Sequence, residues 1–196
     1  AYQVVLVQDT NLNVADQGGS GVDTEVRWDY SSNIGQWQAS VLWSHLLERT
    51  KTAFPGAEED DLSGRYTDPT AQDGGAYAKD KLNFSVQWFY NDFSLGVLME
   101  YISPLDADTF CNCDSDGDPS NNEPDGSYIQ KISSHVYWDL VGSYTFSQAG
   151  FTLSGGITNL GDKNPPFIDT GFNANTDPAT YRLFGRGYYL RAAWKF

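Results

Sequence analysis

The sequence predicts an all-β fold, a transmembrane antiparallel β-barrel with about eight strands in this chain. Three observations carry that prediction. Extended segments alternate apolar with polar or charged residues, and successive side chains of a strand point to opposite faces. The connections between segments alternate long and short, which matches short periplasmic turns and long extracellular loops. The chain closes on GYYLRAAWKF, where Tyr188, Leu190, Ala192, Trp194 and Phe196 share one face and Gly187, Tyr189, Arg191, Ala193 and Lys195 the other. A final strand that ends on an aromatic suits a barrel whose strand termini meet the bilayer edge.

Composition narrows the class. Aromatics make up 15% of the 196 residues, there is a single Met, and the mean hydropathy is −0.47. No run approaches the roughly 18 apolar residues of a membrane-crossing helix, whereas alternating strands cross a bilayer without such a run. The formal charge is −14, with 12 Lys and Arg against 26 Asp and Glu, which argues against a nucleic-acid partner. Much of the excess is local, with seven acids from Glu48 to Asp73 and seven from Asp106 to Asp125. Both stretches read as loops, so the acidity is expected on one exposed rim. The chain opens at Ala1 with neither signal peptide nor initiator Met, as expected of a mature form or a fragment.

In order, YQVVLVQDTN is a β-rich opening, and Asp16 to Gly21 reads as a Gly-rich loop. VDTEVRWDY places Val22, Thr24, Val26, Trp28 and Tyr30 opposite Asp23, Glu25, Arg27 and Asp29. Four charges on one face cannot enter an apolar core; they line a wet lumen or face solvent. After SSNIG, the next strand turns Trp37, Ala39, Val41 and Trp43 outward against Gln38, Ser40 and Ser44. Glu48 to Ala78 lacks periodicity and reads as a long loop. KDKLNFSVQWFY sets Leu82, Phe84, Val86, Trp88 and Tyr90 against Lys81, Asn83, Ser85 and Gln87, and Asn91-Asp92 hands over to Phe93, Leu95, Val97, Met99 and Tyr101. A second long loop runs from Ser103 to about Lys131. SSHVYWDLVGSYTF sets Trp138, Leu140, Gly142, Tyr144 and Phe146 against Tyr137, Asp139, Ser143 and Thr145. SQAG leads to FTLSGGITNL, with polar Thr152, Ser154, Gly156 and Thr158, and Gly161 to Arg186 is a third long loop. A soluble two-sheet sandwich has the same period but gives no reason for every second connection to be long.

The last part of the chain, GGITNLGDKNPPFIDTGFNANTDPATYRLFGRGYYLRAAWKF, resembles the C-terminal end of TonB-dependent outer-membrane receptors of Gram-negative bacteria. The matching positions are Asn159, Leu160, Asp162, Lys163, Pro165, Pro166, Gly171 to Ala174, Thr176 to Pro178, Thr180, Tyr181, Gly185, Arg186 and Phe196. SGVDTEVRW, further upstream, resembles a strand of the same family. Family members usually carry an aromatic where Gly161 stands. The resemblance implies that residues 1–196 are the last eight strands of a 22-stranded barrel whose N-terminal plug and TonB-contacting box lie outside this chain. It also implies a location in the outer membrane and a small-molecule ligand: a ferric siderophore, haem, cobalamin or a carbohydrate. The partners implied are membrane lipid, the remainder of the barrel, and TonB acting through the plug. The acidic rim disfavours anionic ligands and tilts the expectation to a neutral, cationic or ion-mediated one. A self-contained eight-stranded barrel serving as anchor or adhesin is the alternative, and the small inward residues Ser85, Ser94, Gly96, Ser154 and Gly156 weigh against it, since they leave voids in a narrow barrel.

Individual sites are sparse. In FCNCDSDGDPSNNEPDG, Asp114, Asp116, Asp118 and Asp125 fall at positions 1, 3, 5 and 12 of a loop offering oxygen ligands to Ca²⁺. Pro119 stands where the sharp turn wants Gly, and a plain solvated acidic loop is the competing reading. Cys111 and Cys113 suit a loop-stapling disulfide with each other or with partners outside this chain. No catalytic constellation is spelled out, and the chain is not expected to be an enzyme: His45 lies on an outward face and His135 begins a strand. Inward Glu25, Glu100 and Asp139 are expected to pair with Arg27, Lys81 or Arg191. Trp28, Tyr30, Trp88, Tyr90, Phe93, Phe146, Phe151, Trp194 and Phe196 cluster near short turns or the terminus, where an interfacial girdle belongs.

Overall fold

The computed structural model describes residues 16–52, 54–67, 74–109, 128–171 and 174–194. The chain is all-β, built on an antiparallel sheet, and its only helical feature among the described residues is a 3-10 turn at Ser147–Ala149. The main sheet takes β1 (Asp16–Ser32), β2 (Gly35–Thr52), β6 (Asp80–Tyr90), β7 (Phe93–Ile102), β10 (His135–Phe146), β11 (Phe151–Thr158) and β12 (Gly187–Trp194) in spatial order. β3 (Asp60–Asp61) adds beside the far end of β2. Every neighbour along that path is antiparallel, so the tight turns after β1, β6 and β10 gather at one end and the long connections at the other. Among the described residues β1 pairs with β2 and β12 with β11, and not with each other. The predicted opening strand and Phe196 lie outside the described residues.

Register places the predicted faces correctly. Across the sheet Trp37 meets Trp88, Trp88 meets Leu95, Leu95 meets Gly142, Gly142 meets Gly155 and Gly155 meets Leu190. One residue along, Gln38 meets Gln87, Gln87 meets Gly96, Gly96 meets Val141, Val141 meets Gly156 and Gly156 meets Tyr189. One face is therefore apolar over seven strands and the other predominantly polar, because a side-chain period of two carries one pattern across every ladder.

The tight turns use residues suited to them. Gly35 has φ 122°, and a Cβ there would lie 2.3 Å from the Phe89 carbonyl oxygen and 2.7 Å from Trp88 Nε1. The same indole donates to the Ile34 carbonyl at 2.8 Å, so the first turn is folded onto the neighbouring hairpin. Asn91 takes φ 50°, a conformation Asn tolerates better than most residues.

Three connections differ from expectation. Asp16 to Gly21, read as a loop, is the first third of β1 and pairs with the Leu46 to Thr52 end of β2 across a register shift between Ser20 and Gly21. The extra residue is Leu47 on β2, between the partners of Gly21 and Ser20, and the glycines of β1 allow close approach: a Cβ on Gly21 would sit 2.9 Å from the His45 carbonyl oxygen. The predicted long loops Glu48 to Ala78 and Ser103 to Lys131 contain a second sheet, in the order β5 (Gly75–Ala76), β4 (Arg65–Thr67), β8 (Leu105–Thr109) and β9 (Tyr128–Ile132). The dry core lies where this small sheet, the last long connection and the ends of β7 and β10 meet. Tyr66, Ile102, Leu105, Ala107, Ile132, Tyr137, Ile168 and Tyr181 pack together, each at most 3% exposed.

Candidate functional site

The polar face carries its charges in two clusters. On β1, Arg27 and Glu25 lie one behind the other on the same face, and Arg27 Nε donates to Glu25 at 2.7 Å, as expected from sequence. The second cluster was only half foreseen. Glu100 on β7 and Asp139 on β10 both turn inward, yet neither finds its partner in Lys81 or Arg191. Their cation is Arg182, delivered by the third long connection. Its Nε and Nη2 lie 3.0 Å from Glu100 Oε2, and its Nη1 donates to Asp139 Oδ1 at 2.7 Å. The guanidinium also lies over the Tyr137 ring, 5.0 Å from its centroid. Burial opposes the charge on Arg182, but the hydrogen bonds and negative charges of Asp139 and Glu100 outweigh it and raise its pKa.

Local structure explains how Arg182 gets there. Asn159, at φ 50°, ends β11 and turns the chain over the polar face. Its backbone N–H donates to Asp139 Oδ1 at 2.7 Å; its side-chain amide donates to the carbonyls of Lys163 and Phe184 at 2.9 and 3.3 Å, and its Oδ1 accepts from the Lys163 N–H at 2.9 Å. Asp162 accepts from the Arg186 N–H at 2.7 Å, and a Cβ on Gly185 would lie 2.6 Å from that same carboxylate. The Asn-Leu-Gly-Asp-Lys run and the Gly-Arg pair are thus the two halves of one closed loop. Between them, Asp177 bends the chain by accepting from the Ala179 N–H at 3.2 Å through its side chain and from the Tyr181 N–H at 2.8 Å through its carbonyl. Tyr181 then drops into the core, where burial pushes its phenol pKa far up and keeps it neutral, and the next residue, Arg182, projects along the inner wall.

Cavities lie along this face. One of about 540 Å³ is lined by Thr158, Asn159, Leu183, Phe184 and the Glu100–Arg182 pair. A second, about 310 Å³, is lined by Glu25, Asn83, Asp139 and the same pair. A third, about 410 Å³, shares Glu25, Ser40 and Ser85 with the second and reaches Asp29 and Gln87. Hydroxyl pairs line the wall between strands: Ser40 with Ser85 at 2.8 Å, Ser94 with Ser143 at 2.6 Å and Thr145 with Thr152 at 3.2 Å. The inward glycines leave no voids, because Val141 takes the space above Gly96 and Tyr189 the space above Gly156.

The other face is ringed. Near the tight turns, Trp37 meets Trp88, Trp88 stacks on Tyr90 and tilts against Phe93, Phe93 meets Tyr144, Tyr144 meets Phe146, Phe146 meets Phe151 and Phe151 meets Trp194, with centroids 4.7–6.3 Å apart. Trp28 stacks on Tyr30 beside them. The sequence-predicted girdle residues are brought together, Phe196 excepted as outside the described residues. A second row, Trp43, Tyr101, Trp138 and Tyr188, lies toward the long-loop end of the same face. His45 is on that face as predicted, its Nδ1 2.7 Å from Asp80 Oδ1, to which Trp43 Nε1 also donates at 3.0 Å. His135 is buried at the start of β10, its ring 5.0 Å from that of Tyr181.

The Ca²⁺ reading of Asp114, Asp116, Asp118 and Asp125 and the disulfide reading of Cys111 and Cys113 lie outside the described residues. No group of three or more His, Cys, Asp or Glu side chains among the described residues is arranged to hold a metal ion.

No protein-family model matches the chain, and no curated protein matches it. Among solved structures, the chain is similar to a mutant form of the ferric enterobactin receptor of Pseudomonas aeruginosa, at 15% identity and a TM-score of 0.40, over 89% of this chain and 31% of that one. The chain therefore spans under a third of that protein's length.

Proposed function

We propose that this chain is part of the wall of a TonB-dependent outer-membrane receptor, which captures a scarce small nutrient with its long loops and imports it with energy relayed from TonB. The observation that carries the reading is the two-faced main sheet. Its outward face leaves Trp28, Leu190 and Trp194 at 53%, 76% and 65% exposure, with two aromatic rows bounding Val41, Phe84, Val97, Leu140 and Leu153. Between the rows, Trp138 to Tyr144 and Tyr188 to Trp194 each cover about 20 Å of strand, and Phe93 to Tyr101 about 26 Å, at about 3.3 Å per residue. Strand tilt shortens this to roughly 15–20 Å, and the rings extend past their Cα positions, which suits an apolar band about 25 Å tall. The opposite face holds ion pairs and hydroxyls that hydrocarbon would exclude and a wet interior accepts.

The loop end supports the receptor part of the reading. The small sheet and the connection bearing Ile168 and Tyr181 pack onto the long-loop ends of β7 and β10 through Ile102 and Tyr137, a firm support for ligand-contacting loops. Nutrient class, TonB coupling, Ca²⁺ in the acidic loop and the outer-membrane location belong to this proposal. The acidic rim favours a neutral or cationic ligand.

The test is uptake by the complete source protein, expressed in a Gram-negative strain stripped of its own receptors and offered labelled ferric siderophores, haem, cobalamin and oligosaccharides. Uptake of one of them that vanishes on deletion of TonB supports the proposal. An intact protein of about this chain's 21.7 kDa that imports none of them overturns it in favour of an anchor.

A further inference from the structure

The open cleft of about 540 Å³ sets an apolar ledge beside polar groups. The ledge is Phe184, 87% exposed, with Leu183 next to it at 42%. The backbone under the ring is pinned: the Asn159 amide donates to the Phe184 carbonyl at 3.3 Å, and Gly185 sits so close to the Asp162 carboxylate that a Cβ would lie 2.6 Å from it. An aromatic face held out into water at the edge of a cleft costs free energy until something covers it. Charge narrows what can do so. The two formal charges that line the cleft, Glu100 and Arg182, meet at 3.0 Å, and Arg182 also donates to Asp139 at 2.7 Å. An anionic ligand therefore finds no uncommitted cation among the lining residues, and the chain's net charge of −14 repels it further. A cation would have to compete with Arg182 for Glu100, whereas a neutral molecule disturbs neither. The polar groups left to it are the hydroxyls of Thr158 and Thr180 and the Oε1 of Glu100, since both Arg182 contacts fall on Oε2. Those groups suit alcohols, whose oxygen both donates and accepts.

We propose that this cleft binds a neutral sugar ring, its C–H face stacked on Phe184 and its hydroxyls bonded to Thr158, Thr180 and Glu100, so that the nutrient class is carbohydrate. A pyranose carries both surfaces at once, an apolar face of C–H bonds and a rim of hydroxyls, and the cleft falls within the range of about 300–1,000 Å³ usual for small-molecule sites. The assignment deepens the receptor reading above and rests on it.

The experiment uses the complete protein in detergent, titrated calorimetrically with neutral malto-, cello- and manno-oligosaccharides and, separately, with an anionic ferric siderophore and with haem. One oligosaccharide series is expected to bind. Phe184→Ala is expected to weaken that binding by about tenfold or more, and Phe184→Tyr to keep it, because the aromatic face carries the contact. The ring is exposed in the folded protein, so its truncation leaves the fold standing. Oligosaccharide binding that Phe184→Ala leaves unchanged overturns the site. Binding of the siderophore or haem alone, or of none of the probes, overturns the ligand class. Phe184→benzoylphenylalanine that photocrosslinks to another part of the same chain, with and without oligosaccharide, overturns the proposal in favour of an internal contact. Uptake separates the two readings: TonB-dependent import of a non-carbohydrate alone sinks the sugar assignment, while the absence of any TonB-dependent import sinks the receptor reading even where an oligosaccharide binds.

Discussion

Arg182 Nη1 donates to Asp139 Oδ1 at 2.7 Å, joining residues 43 positions apart on a loop and a strand. With Glu100 it makes the one three-member charge cluster that ties the last long connection to the inner wall among the described residues. Replacing Arg182 by Ala leaves two inward carboxylates near each other with no cation. Partial exposure discounts the cost of a fully buried pair, so the expected loss is about 1–2 kcal/mol. Chemical unfolding in detergent checks it, and adding Glu100→Gln should recover part of the loss. A double variant as unstable as the sum of the two singles would contradict the charge origin.

Gly35 and Gly56 both have positive φ, 122° and 88°, but only Gly35 is crowded. Gly35→Ala drives a methyl against the Phe89 carbonyl and the Trp88 indole, whereas Gly56→Ala meets nothing within 4 Å. The first is expected to cost more than the roughly 1–3 kcal/mol of backbone strain alone, and the second to stay within it. Comparing the two melting temperatures decides, and equal shifts would show that the turn does not lean on Trp88.

The long strands were legible because each ladder repeats one simple rule, apolar then polar, and the Asn91-Asp92 and Ser147 to Gly150 turns stand out against it. The small sheet was not. Its strands run two to five residues, too short to show a period, and β4 pairs in parallel with β8 some 40 residues on, a contact that no local pattern encodes. The start of β1 was hidden because Gly18, Gly19 and Gly21 carry no side chain to mark a face, while the bulge opposite, at Leu47, puts only the alternation of β2 out of phase. Arg182 was missed because its partners lie 82 and 43 residues away. The available signal was indirect: inward Glu100 and Asp139 lacked a nearby cation, and Arg182 stands alone in an apolar run.

Asp61, on the short β3 beside the loop end of β2, accepts hydrogen bonds from both the hydroxyl and the N–H of Ser63, and these hold its carboxyl below the ordinary 3.8. A depressed carboxylate pKa means that the folded loop binds fewer protons than the unfolded one, so the contribution is complete above 3.8 and is lost as pH falls through the folded value. Hydrogen exchange at the Ser63 amide should speed up relative to its intrinsic rate on acidification. Asp61→Asn should flatten that dependence. An unchanged acid response in the variant would place the titrating group elsewhere.

Leu95 and Gln87 provide the sharpest separation of the two faces. Leu95 is outward, 41% exposed, and pairs with Trp88 and Gly142; Gln87 is inward, also exposed, and pairs with Gln38 and Gly96. In bulk water an arginine at either exposed position would be nearly neutral in its effect on stability. In a bilayer the outward one meets hydrocarbon and the inward one meets water. Leu95→Arg is therefore expected to destabilise the complete protein in lipid by about 1–2 kcal/mol, between the figures for Arg at the interface and at mid-bilayer, and Gln87→Arg by less than about 0.5 kcal/mol. Reversible unfolding from lipid vesicles measures both. If the two variants lose the same amount, or Gln87→Arg loses more, the apolar face does not meet lipid, and the wall reading fails with it.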